Sequence, residues 1–476
     1  MQRITHDRCW PLFDATATRA IERAAAQALA PHTLMQRAGL SVAQLALALA
    51  PHARAIWIAC SPGNNGGDGL EAAMHLHQWG KRVHLTWLGD AALAPADALA
   101  SFKRARDAGV VIHAEPPSSC DLAIDALLGI GSSRPLEGAI AAHVCRLNAL
   151  TCPVLAVDLP SGLPADTGSG PGVRATHTLS LLTLKPGLFT SGGRDACGEV
   201  WFDRLGVDPD GFTANATLTS SSERASRPHA SHKGSFGDVA IIGGAPGMTG
   251  AALLAASAAL HGGAGRVFVA LLDARGPSID ATHPELMFRD WASLALADQT
   301  VACGCGGADA IHAALPKVIS AAKALVLDAD ALNAIAGDLP LQAQSKARSA
   351  RGQSTVMTPH PLEAARLLGI STQQVQANRL AVCRDIAARY GCHVVLKGSG
   401  TVIADAAGRT AINPTGNARL ATAGTGDVLA GLIAARLAAG EDAFEAATAA
   451  VFAHGLAADR WPATEALTAA ALARRA

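Results

Sequence analysis

The sequence predicts two α/β domains in one chain, each a largely parallel sheet covered by helices, and three observations carry that expectation. At 476 residues the chain exceeds what one hydrophobic core ordinarily organises. From about Ala55 onward short apolar runs alternate with amphipathic stretches, as strands and helices do when they follow each other in turn. The alternation stops between about Gly206 and Ser231 and then resumes. This interval, with Thr219-Ser220-Ser221-Ser222-Glu223-Arg224 inside it, is polar and has neither period. The expected division is a first domain over residues 1–215, a linker over 216–231 and a second domain over 232–476.

In the first domain Ala55–Cys60, Arg82–Leu88, Asp121–Leu127, Val154–Val157 and His177–Leu184 read as strands. In the second, the strands are Val239–Ile242, Val267–Leu271, Ala324–Leu327, Thr355–Met357 and His393–Leu396, with long alanine-leucine helices at Gly250–His261 and Asp427–Ala439. The glycine motifs of the halves differ in spacing, which predicts two separate folds and no internal repeat.

Composition narrows the function classes. Lysine plus arginine balances aspartate plus glutamate at 39 each, so the broad positive field of a nucleic-acid or membrane-surface binder is missing. The ten cysteines form no CxxC pair and sit mostly in apolar runs, as reduced buried thiols do. Cys303 and Cys305 lie two apart, but no neighbouring histidine or further cysteine completes a zinc set. The N-terminus lacks the apolar core of a signal peptide, and Leu45–Ala50 is too short to span a bilayer, so a cytoplasmic location is expected.

Ser61-Pro62-Gly63-Asn64-Asn65-Gly66-Gly67-Asp68-Gly69 follows the strand Ala55–Cys60 directly and precedes a helix expected near Leu70. Glycines there allow positive φ and close approach, and the amides of a helix start favour anions. A plain turn would not need two asparagines and an aspartate in five positions. The spacing is not GxGxxG, which argues against an ordinary dinucleotide-dependent dehydrogenase. Asp125 and Asp158 stand at two other strand ends, where open parallel sheets collect ligands; each could also be a cap or turn former.

These motifs, with Gly129-Ile130-Gly131-Ser132-Ser133-Arg134-Pro135, Asp158-Leu159-Pro160-Ser161-Gly162 and Leu184-Lys185-Pro186-Gly187, resemble the NAD(P)H-hydrate epimerase domain over roughly residues 10–215. The resemblance implies a Rossmann-like three-layer fold. It implies that Asn64, Asn65, Gly66, Gly67 and Asp68, together with Gly129, Ile130, Gly131, Ser132, Ser133, Arg134 and Pro135, hold the substrate. Asn65, Asp125 and Ser161 would give oxygens to a potassium ion. Asp158 would face the hydrated ring and move a proton. Ser61 departs from the family, which usually has glycine there.

In the second half Ala423-Gly424-Thr425-Gly426-Asp427 opens a long apolar helix after Asn413-Pro414-Thr415-Gly416-Asn417. Its amides suit a transferring phosphoryl group, and Asp427 could accept a hydroxyl proton; the bland reading is an N-terminal cap. Lys397-Gly398-Ser399-Gly400-Thr401 is a candidate phosphate loop or a simple hairpin turn. No GxxxxGK[ST] occurs.

With His232-Lys233-Gly234, Gly243-Gly244, Asp328-Ala329-Asp330 and Thr358-Pro359-His360-Pro361, this half resembles the ribokinase-like NAD(P)H-hydrate dehydratases over about residues 225–475. The resemblance implies that Ala251, Gly306, His360 and Asp427 line the hydrate pocket, while Lys397, Gly398, Ser399, Gly400, Thr401 and Gly426 hold the nucleotide. It further implies magnesium, ADP or ATP as phosphoryl donor with ADP favoured, and the hydrates of NADH and NADPH, NADHX and NADPHX, as substrates. A homo-oligomer is also expected. His360 could instead cap a helix before Glu363. Two departures stand out: Cys305 within Gly304-Cys305-Gly306-Gly307, where the family tends to GPGLG, and Leu362, where it has glycine and where a side chain is expected to crowd His360. The alternative is a small-molecule kinase with a first domain that only binds nucleotides or proteins.

Overall fold

A computed structural model describes residues 1–131, 135–221 and 228–476. The chain forms two compact units, Met1–Thr5 with Trp10–Thr217, and His6–Cys9 with Leu218–Ala476. Among the described residues no helix is long and apolar enough to cross a membrane. Part of the interval read as linker is ordered otherwise: Ala216–Leu218 is a strand.

The first unit holds one sheet in the order Gln2–Arg3, Glu199–Asp203, His177–Leu181, Val154–Val157, Leu122–Ala126, Ala55–Cys60, Arg82–Trp87, Ile112–His113. Every pair is parallel except the first. From Ala55–Cys60 the chain builds outward to Arg82–Trp87 and Ile112–His113, then returns to build the other side. The order therefore reverses between Ala55–Cys60 and Leu122–Ala126, and the carboxyl ends of those strands open a crevice. The inner strands Ala55–Cys60, Leu122–Ala126, Val154–Val157 and His177–Leu181 are buried on both faces, which explains their apolar runs.

The glycine-rich segment is not a loop. The helix begins at Asn64 and runs to Gln78, with Gly63 as N-cap. None of Gly63, Gly66, Gly67 and Gly69 takes positive φ. What they supply is close approach. A Cβ on Gly66 would lie 1.9 Å from the Ser61 carbonyl oxygen, one on Gly67 would lie 2.5 Å from Met35 Sδ, and one on Gly69 would lie 2.6 Å from Ala126 Cβ. Gly66→Ala is expected to destabilise this unit by about 1–3 kcal/mol, read as a lower urea midpoint, since backbone must move to admit the methyl. An unchanged midpoint would show that the turn yields freely.

The second unit orders its strands Met287–Phe288, Arg266–Leu271, Asp238–Gly243, Thr300–Cys303, Ala324–Leu327, Thr355–Met357, His393–Leu396, Val402–Ala404, Thr410–Ile412. Pairing is parallel as far as His393–Leu396 and antiparallel beyond it. Its core is rich in alanine, and the helices Thr249–His261 and Thr425–Ala438 pack backbone to backbone. A Cβ at Gly431 would meet the Ala255 carbonyl at 2.1 Å.

Candidate functional site

In the first unit the strand ends converge on a cavity of about 1070 Å³. Asn64, Asn65, Asp68, Gly129, Ile130, Gly131, Pro135 and Asp158 line it, as do two groups that the sequence reading gave no role, Glu22 and Lys185. Gly66 and Gly67 do not line it and serve packing instead. Ser132, Ser133 and Arg134 lie outside the described residues. Ser61, the departure from the family, donates its hydroxyl to the Leu127 carbonyl and so ties the start of the glycine segment to the neighbouring strand end.

Asp158 has φ +64°, a left-handed conformation that aspartate tolerates better than most residues. The turn aims its carboxylate back across the sheet end. Oδ1 accepts from Leu181 N at 3.1 Å and from the ammonium of Lys185. Lys185 is itself buried and also donates to the Leu181 carbonyl at 2.7 Å. Around this pair the other carboxyls are held back from ionising. Burial, then the charge of Asp158, raises Glu22; burial, with Asp158, Glu22 and Glu71, raises Asp68 well above the ordinary carboxylate range. The cavity thus combines carboxyls poised to keep protons with one carboxylate fixed by an ammonium.

Asp125 and Ser161 sit beneath the cavity, both fully buried. Ser161 donates through Oγ at 2.6 Å and through N at 2.8 Å to Asp125. Burial pushes Asp125 up to about 6, against the pull of those bonds. Asn65 is buried against Gly129, and among the described residues its Nδ2 has no hydrogen-bond partner.

In the second unit the expected groups again stand at strand carboxyl ends, joined by short contacts. Asp328, after Ala324–Leu327, accepts from Lys397 Nζ and from Thr358 Oγ1, each at 2.7 Å. Lys397 Nζ lies 3.9 Å from Glu363 Oε2 and 3.4 Å from where a Cβ on Gly426 would be. Burial pulls Lys397 down, but Asp328 and Glu363 outweigh it and the ammonium is raised. Lys397–Thr401 is a hairpin connection, because His393–Leu396 and Val402–Ala404 pair antiparallel. Its glycines take φ of +137° at 398 and +59° at 400.

Asp427 is the third residue of the helix Thr425–Ala438, and its N-cap Gly424 has φ +89°. His454, buried and pushed down to about 4 by that burial, bonds the Thr425 carbonyl at 2.9 Å and anchors the helix start. Burial, then Asp328, raises Asp427 to about 7. Ala251 and Gly306 are neighbours, a Cβ on Gly306 falling 2.9 Å from Ala251 Cβ. His360 does cap a helix: Nδ1 accepts from Leu362 N at 3.1 Å and Glu363 N at 3.3 Å, and Glu363 Oε2 accepts from His360 N at 2.7 Å. Leu362, expected to crowd that histidine, is exposed at 45%. Asp328 was legible only as part of a motif, yet it holds Lys397 and Thr358 together at the strand ends.

Residues 239–475 match the family described as NAD(P)H-hydrate dehydratase, and residues 31–187 match the YjeF-related protein N-terminus. Over the full length, the bifunctional NAD(P)H-hydrate repair enzyme Nnr of Escherichia coli K12 is 38% identical, covering 90% of this chain and 85% of its own. The chain belongs to the bifunctional NAD(P)H-hydrate repair enzymes. The Coxiella burnetii member of this family is 34% identical, covering 94% of both chains. A solved ADP/ATP-dependent NAD(P)H-hydrate dehydratase from Bacillus subtilis, co-crystallized with ATP/Mg2+, is 31% identical over 52% of this chain and 90% of that chain, with a TM-score of 0.44.

Proposed function

We propose that the first unit interconverts the R and S hydrates of NADH and NADPH, and that the second converts the S hydrate to the dinucleotide at the expense of ADP or ATP. The observation that carries this reading is Asp427, a half-buried carboxyl at the helix start beside Lys397 and Asp328. A ring hydroxyl leaves poorly, whereas its phosphate ester leaves readily once the ring nitrogen donates its lone pair. Asp427 takes the hydroxyl proton, and the amides of Gly424, Thr425 and Gly426 stabilise the transferring phosphoryl group. Lys397 to Thr401 and Gly426 hold the nucleotide, and Ala251, Gly306 and His360 border the hydrate. Magnesium, when bound, offsets nucleotide charge.

In the first unit, Asn64, Asn65 and Asp68, with Gly129, Ile130, Gly131 and Pro135, border the hydrate. Asp158 moves a proton while the hydroxyl configuration is exchanged, and Lys185 holds its carboxylate in place. Asp125, Ser161 and Asn65 supply a donor set of hard oxygens that suits potassium, which would organise the loop beneath the substrate. Because hydration yields both epimers, the first activity feeds the second.

Purified protein mixed with both NADH-hydrate epimers, magnesium, potassium and ADP is expected to restore the full absorbance of the reduced nicotinamide. Recovery of the S fraction alone would remove the first activity. A stable phosphorylated product without recovery would favour the small-molecule kinase reading.

A further inference from the structure

Cys305 stands where the family tends to have proline. Its backbone is fixed: the Cys305 carbonyl accepts from Gly244 N at 2.9 Å, and the flanking Gly304 and Gly306 take φ of +116° and +61°. This clamp directs the thiol at two carboxylates. One donor atom each of Cys305, Asp328 and Asp427 lies within 4.8 Å of the others, and Cys305 and Asp328 are 1% and 2% exposed. The nearest sequence neighbour, Cys303, takes no part; the donors that complete the set come from strand and helix ends far along the chain.

We propose that Cys305, Asp328 and Asp427 form a site for a thiophilic divalent cation, zinc above all, inside the dehydratase unit. One sulfur and two carboxylate oxygens, with water as fourth ligand, give the four donors of a tetrahedral site, all of types that zinc accepts, with bonds of about 2.3 Å to sulfur and about 2.0–2.2 Å to oxygen. Charge closes as well. The thiol gives its proton to solvent as the metal–sulfur bond forms, so thiolate and two carboxylates carry three negative charges against the cation and the Lys397 ammonium. Lys397 need not be stranded, because Glu363 already lies 3.9 Å away and can take it when the metal takes Asp328.

The consequence, inhibition by zinc, rests on Asp427 being the base; the site itself does not. The test is titration of the full chain with Co2+, read by thiolate-to-cobalt charge-transfer absorbance. Cys120 and Cys152 are first changed to serine, because their sulfurs are 3.5 Å apart and offer a second soft site. One equivalent is expected to saturate the band. Cys305→Ser should abolish it, and Asp328→Asn should weaken binding by at least about tenfold, the size of effect seen when even an outer partner is lost. A band of full amplitude in Cys305→Ser, or none at one equivalent in the parent, overturns the site. If cobalt binds through Cys305 and zinc still leaves hydrate turnover intact, the site stands and the role given to Asp427 fails.

Discussion

Asp427→Asn is expected to lower ADP-driven turnover of the S hydrate by about 10²–10⁴-fold, the usual range for removing a positioned general base. The amide keeps the shape and the helix-start position, so the helix amides and Lys397 remain as they are and the KM for ADP should change little. The pH profile gives a second reading. With Asp427 raised to about 7, kcat/KM should fall as pH drops through that value, because the base is lost when the carboxyl protonates. Burial, then Asp328 and Asp330, push the limb up, while the Cys305 thiol and Lys397 pull it down. A wild-type profile flat from pH 6 to 8, or an Asn variant with wild-type kcat, would remove Asp427 from the chemistry.

Asp158→Asn is expected to stop conversion of the R hydrate, again by about 10²–10⁴-fold, while the S fraction is still consumed. Asparagine is the informative replacement, since it tolerates the φ of +64° that alanine would resist. The substitution also leaves the Lys185 ammonium buried with only hydroxyl and carbonyl partners, and breaking a buried ion pair costs about 3–5 kcal/mol. The double variant Asp158→Asn/Lys185→Met removes the stranded charge. If stability returns in the double variant and R conversion does not, the carboxylate is needed for chemistry and not merely for the fold. R conversion at the wild-type rate in either would dismiss the assignment.

Most of the strand framework was legible because a parallel sheet buried on both faces writes itself as short apolar runs. Several strands went unread, among them Glu199–Asp203, Val402–Ala404 and Thr410–Ile412, and two other omissions have a local physical cause. Thr300–Cys303 merges into the glycine turn that follows. Ala216–Leu218 has three residues in a polar setting. The glycine segment was read as a loop because glycine density signals turns, whereas here the absent side chains let a helix start press on Ser61, Met35 and Ala126.

The sites were half legible. Motif residues at strand ends could be placed because open sheets collect ligands there. Glu22, on a helix far upstream, carries no local signal, and Lys185 reads as part of a turn until its bond to Asp158 is seen. The grouping of Cys305 with Asp328 and Asp427 joins positions more than a hundred residues apart at its widest, beyond any spacing rule.

In both units the candidate site lies where parallel strands finish, at the rim opposite their starts. Gly80 precedes the strand Arg82–Trp87 and Gly352 precedes Thr355–Met357; both are exposed, and a Cβ on either would meet nothing within 4 Å. Those two turns are the natural handles for an engineer: a fluorophore or affinity peptide inserted there would report on either unit, or tether the protein to a support, from the rim opposite the candidate sites.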